Sequence, residues 1–166
     1  DSRNVRDVAE LLDVDLRDDV GVLTPRLERM YMVELEDLID SGELTPETTA
    51  ELAEICEPLH VDEETAGRLL EQTVAKRCAG GLLQAAATLR QNNQAGAIDE
   101  IEKLLQFASL VPGMGEVSAK SVSMRERNEL ALIYQASSLT GGDLDPAAAE
   151  KLALLKEVAG IKDAEA

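Results

Sequence analysis

Apolar residues recur along this chain at helical rather than strand spacing. Val5, Val8, Ala9 and Leu12 fall on one face of a first helix, and Leu27, Tyr31, Leu35, Leu38 and Ile39 on a second. Leu52, Ile55, Cys56 and Leu59 mark a third, which Pro58 limits. A long fourth segment from Asp62 to about Gln91 carries Leu69, Leu70, Val74, Leu82, Leu83, Ala86 and Leu89. Ala97, Ile98, Ile101, Leu104, Leu105 and Ala108 define the fifth, Leu130, Ile133, Tyr134 and Ser137 the sixth, and Leu152, Leu155 and Val158 the seventh, with Gly160 as its stop.

Helix starts of one recurring kind reinforce this reading. An apolar residue, a capping Thr or Asp and then Pro occur at Leu23-Thr24-Pro25, Leu44-Thr45-Pro46 and Leu144-Asp145-Pro146, and Val61-Asp62-Glu63 is the form without Pro. The polar side chain accepts an orphan backbone N–H while Pro is pre-set for the first turn. Ser123 and Glu126 have the spacing of a capping box. Gly80-Gly81 lies inside the fourth segment and costs about 1 kcal/mol per Gly relative to Ala. It marks a kink, a boundary or a close helix crossing, and one long bent helix is the expectation. Residues 111–121, VPGMGEVSAKS, lack apolar periodicity and read as an internal linker.

The expected fold is therefore all-α: about seven antiparallel helices in one domain over residues 1–166, stacked as repeats in an elongated array, with an irregular helical bundle as the alternative. The helix starts are unevenly spaced, so any repetition is degenerate. Tyr31, Phe107 and Tyr134 are the only aromatics, which leaves an aliphatic core and no sheet in prospect.

Charge narrows the partners. Thirty-three acidic residues against 16 basic give a net charge of −17, which repels a phosphate backbone and favours basic partners or simply solubility. No stretch approaches the ~18 to 20 apolar residues of a membrane span, and the start, DSRNVRDVAE, has neither an initiating Met nor a signal-like apolar run. The chain is expected to be a piece of a longer protein. Two cysteines, Cys56 and Cys78, are too few for a disulfide scaffold and fit a reducing compartment.

Candidate chemistry is sparse, and neither a metal nor a cofactor is expected. His60 is the only His, set in a turn with Glu57 and Asp62 as its acidic neighbours, and reads as a solvated loop residue. Asp37 to Thr48 places Gly42 where an EF-hand needs it, but Ile39 and Thr48 stand where that loop requires oxygen ligands and a bidentate Glu. A helix C-cap followed by an N-cap explains the stretch better. Gly80-Gly81 and Gly141-Gly142 lack the strand and Lys of a phosphate loop. Thr45 to Arg77 reads like a helix-turn-helix, and a DNA-binding regulator is the alternative function; its second helix, however, opens with Asp62, Glu63 and Glu64. Cys56 and Cys78 are candidate redox-sensitive thiols. If the fourth helix is continuous, Cys78 lies ~24 Å along it from the Asp62 cap, too far for a bridge to a Cys56 near the turn.

ICEPLHVDEETAGRLLEQTVAKR, followed by LLQAAATLRQNNQAGAIDEIEKLLQFASLVPG, resembles the C-terminal stromal region of the large subunit of the chloroplast inner-envelope protein translocon. The matching positions include Cys56, Glu57, Pro58, Leu59, Arg68, Leu69, Leu89, Arg90, Gln91, Gly96, Val111 and Pro112, across about the middle third of the chain. The resemblance implies HEAT-type repeats, a membrane anchor elsewhere in the full protein, and a location on the stromal side of the chloroplast inner envelope. It further implies a non-enzymatic scaffold for protein import, with preproteins or transit peptides, stromal chaperones and other translocon subunits as partners.

Overall fold

The computed structural model describes residues 2–162. Seven α-helices are found among them: α1 (Ser2–Leu11), α2 (Thr24–Ser41), α3 (Leu52–Cys56), α4 (Glu63–Arg90), α5 (Gln94–Ala108), α6 (Met124–Ser138) and α7 (Pro146–Val158). The all-α expectation holds. Two compact units make up the chain, 1–73 and 74–166, and the boundary falls inside α4.

In the first unit α1 and α3 both pack on α2. Leu27, Tyr31, Leu35 and Ile39 of α2 are buried at the expected helical spacing, and Leu52, Leu59, Val61 and Leu69 complete the core. The expected inward face of α1 is not what it buries. Val5, Val8 and Leu12 are all exposed and only Ala9 is covered. The reason is an ion pair: Arg6 Nε lies 3.2 Å from Oε1 of Glu34, which is buried on α2. Arg6 and Ala9 share a face at i, i+3, so seating that pair turns the valines outward.

Two helix starts also differ from expectation. Leu23, not Thr24, is the N-cap of α2; its side chain makes no capping bond and Thr24 is already helical. The third helix is shorter than its apolar pattern implied. A turn at 46–48 and a 3₁₀ turn at Thr49–Glu51 replace its first half. Thr48 Oγ1 accepts the Thr45 N–H at 2.8 Å and donates to the Glu43 carbonyl at 2.9 Å, so a hydroxyl closes a local turn in place of helix.

In the second unit α5, α6 and α7 pack mutually. Val74, Cys78, Leu82 and Ala86, each four residues apart on α4, are fully buried, as are Ile101, Leu104, Leu130 and Leu155. The helix runs unbroken through Gly80-Gly81. Of the three readings offered for that pair, the close crossing accounts for Gly81: a Cβ there would stand 3.1 Å from Cβ of Leu104 on α5. Asn93, Ser123 and Asp145 cap α5, α6 and α7, and the Ser123–Glu126 capping box is formed in both directions.

Residues 111–121 carry no helix, but they are pinned. Val117 and Ala119 are buried, and the Val117 N–H donates to the Val158 carbonyl at 3.0 Å. Buried Arg127 of α6 donates to the carbonyls of Ala119 (2.7 Å), Val122 (3.0 Å) and Ala159 (2.8 Å), and to Glu116 Oε1 (3.2 Å). One departure from an all-helical chain follows α6, where β1 (Leu139–Thr140) and β2 (Asp143–Leu144) pair antiparallel. Gly141 and Gly142, at φ 64° and 90°, supply the two positive φ angles of a tight hairpin turn.

Candidate functional site

The two thiols are both free and sit on separate units. Cys78 is fully buried in α4, donates to the Leu104 carbonyl at 3.7 Å, and is pushed up to about 12 by burial. Cys56 is half-buried at the end of α3. Desolvation raises it, and the neighbouring Tyr31 hydroxyl offsets this only in part. Both therefore stay protonated at neutral pH, the opposite of what a reactive thiolate needs. Burial also raises the Tyr31 phenol, well above its ordinary range.

Tyr31 and Cys56 line a cleft of about 500 Å³ together with Leu52, Ala53, Ala66 and Leu70. The Tyr31 side chain is wholly inaccessible and the cleft wall is mostly aliphatic. Such a surface accepts an apolar side chain. Thr49, Glu57 and Glu63 supply the polar positions of its lining.

His60 is better partnered than its sequence neighbours implied. Its Nε2 lies 2.7 Å from Asp15 Oδ2, across 45 positions of chain, and its backbone has φ 52°. Asp15 Oδ1 also accepts the N–H groups of Asp18 (2.7 Å) and Arg17 (2.8 Å), and the turn amides, Asp18's first, hold its carboxyl below the usual range. The expectation of a freely solvated His60 is thereby corrected. Ligand atoms of Asp15, Asp18 and His60 fall within 4.8 Å of one another. Asp15 is already spent on the turn and the imidazole, and Asp18 on Arg17, so the group serves as a clip between the α1–α2 loop and the turn before α4.

Of the EF-hand stretch, Gly42 is the left-handed C-cap of α2, its N–H donating to the Ile39 carbonyl, in keeping with the capping explanation. The helix that would read DNA in a helix-turn-helix opens with Glu63 and Glu64, and its expected first helix has shrunk to the five residues of α3. Sequence reasoning missed Arg6–Glu34, His60–Asp15 and Arg127 because each depends on distant chain meeting. The one available signal was the placement of Glu34 within the apolar Tyr31–Leu35–Leu38 face.

No helix of the described residues is long and apolar enough to cross a membrane. Fold and surfaces together define an all-α protein built of amphipathic helices with open apolar clefts. No family model and no solved structure matches the chain. Among curated proteins the chain is similar to Protein TIC110, chloroplastic, of Arabidopsis thaliana, with 28% identity over 163 residues. The match covers 98% of this chain and 15% of that protein. The resemblance noted from the middle third thus extends over nearly the whole chain, which spans about one seventh of its relative's length.

Proposed function

We propose that this chain is a non-enzymatic scaffold segment of a chloroplast protein-import translocon, on the stromal side of the inner envelope. The observation that carries this reading is the similarity to TIC110 along 98% of the chain. The fold is compatible: amphipathic helices, several of them capped at their N-termini, present packed surfaces and leave clefts open. The mechanism is tethering. Several weak contacts on one framework raise the effective concentration of a preprotein beside its chaperones and the other translocon subunits, with no covalent step. HEAT-like stacking is the repeat form this reading favours, and the membrane anchor belongs to another part of the full-length protein.

Charge supplies a recognition term. Transit peptides are rich in Arg and Ser and poor in acids, so a chain of net charge −17 attracts them over a Debye length of about 8 Å at physiological salt. The test is binding of a chloroplast precursor, and of the same protein lacking its transit peptide, across a salt series. The precursor is expected to bind more tightly, with affinity falling as salt rises. Equal binding of the two forms, or an affinity indifferent to salt, would contradict the electrostatic reading.

A further inference from the structure

A groove of about 880 Å³ opens in the first unit between α1, the α1–α2 loop and α2. Val5, Leu16, Val20, Leu23, Met30 and Val33 line it. Val5, Val20, Leu23 and Val33 are 48%, 59%, 74% and 39% exposed, a contiguous apolar face rather than scattered surface leucines. The same groove is lined by Arg26 and Arg29, and no ion pair holds either of them among the described residues. Carboxylates outnumber cations 33 to 16 in this chain, so two unpaired guanidinium groups beside an apolar face are conspicuous.

On α2 the lining positions Arg26, Arg29, Met30 and Val33 follow i, i+3, i+4, i+7. They form a second face, next to the Leu27–Tyr31–Leu35 stripe that fills the core. A face of that length runs ~10 Å along the helix, enough to meet two turns of a partner helix. Apolar residues flanked by free cations complement apolar residues flanked by acids. A basic transit-like segment is repelled by the two arginines. An anionic lipid surface is repelled by the chain as a whole.

We propose that this groove is the docking site for an acidic amphipathic helix of a partner protein. Its apolar stripe lies on Val5, Leu23 and Val33, and its carboxylates pair with Arg26 and Arg29. This names a partner class for the scaffold function and rests on that reading, while selecting a charge opposite to that of a transit peptide.

The test is fluorescence anisotropy on the whole chain with a labelled amphipathic peptide of about 18 residues, Leu on one stripe and Glu on its flanks. A control peptide carries Lys for every Glu. The Glu peptide is expected to bind, to weaken with salt, and to lose about tenfold or more in affinity in Arg26→Glu/Arg29→Glu and, separately, in Leu23→Ser. These positions are exposed, and unchanged helical circular dichroism confirms that each variant is folded. Equal binding of both peptides, or an affinity that neither variant changes, overturns the proposal. So does capture of anionic vesicles but not the peptide, or a concentration-dependent dimer of the chain that Leu23→Ser dissolves while the peptide fails to bind. If the Glu peptide fails while a chloroplast precursor still binds, only the groove assignment falls. If both fail, the scaffold reading falls with it.

Discussion

The two units bury apolar surface to different degrees. In the second, α5, α6 and α7 close on one another, and its exposed large apolar residues Leu83, Met124, Leu132 and Leu139 lie apart along the sequence. In the first, Val5, Val8, Leu11, Leu12, Val20, Leu23 and Val33 are all left exposed. The contrast comes from how each unit is pinned. Arg127 satisfies three backbone carbonyls and draws an irregular segment into a completed core. Arg6–Glu34 seats α1 by its polar edge and turns its apolar edge away. The same amphipathic pattern thus yields a closed core in one place and an open apolar face in the other.

The largest test of that contrast is paired truncation. Leu82→Ala, in the closed core, is expected to cost about 3 to 4 kcal/mol, whereas Leu12→Ser on the open face is expected to stay within about 0.5 kcal/mol; chemical denaturation measures both. A large loss at Leu12 would show that the face is covered after all. Arg127→Met is expected to cost about 3 kcal/mol, because it strands buried carbonyls of Ala119, Val122 and Ala159. Amides from Val117 to Val122 should then lose hydrogen-exchange protection before those of α2; uniform loss along the chain would refute the local role.

A smaller effect separates adjacent glycines. Gly80→Ala meets nothing within 4 Å and is expected to stabilise by about 0.5 to 1 kcal/mol, while Gly81→Ala crowds Leu104 at 3.1 Å and should gain nothing. Thermal melts of the two variants compare them directly. The smallest effect lies at the surface, where Arg90, then Ser123, holds the Glu126 carboxyl down to about 2. A depressed carboxylate contributes stability above its unfolded value of ~4.3 and loses it as pH falls through the folded one. Wild type and Arg90→Ala should therefore differ near neutrality and converge between about pH 4 and pH 2. Parallel curves through that window would mean the pair contributes nothing.

Local signals made much of the fold legible. The apolar spacing located all seven helices, and Ser123, Asp145 and Gly160 act where capping chemistry put them. What stayed hidden depended on partners distant in sequence. Periodicity shows that α1 has an apolar edge but not which edge meets α2, since a buried Glu34 reads as a surface residue until Arg6 is placed beside it. Residues 111–121 read as a linker because their anchoring comes from an arginine on the following helix. The groove was invisible for the same reason: Val5 was assigned to an inward face it does not take, and Arg26 and Arg29 look unremarkable until it is seen that no ion pair holds them among the described residues.

The most direct test of a partner-binding scaffold is photo-crosslinking in the full-length protein during preprotein import, with a photoreactive residue placed in turn at Leu23, Val33 and Leu132. Adducts to an import component are expected from Leu23 and Val33 and not from Leu132. Absence of adducts at all three positions, or adducts confined to Leu132, would contradict the account.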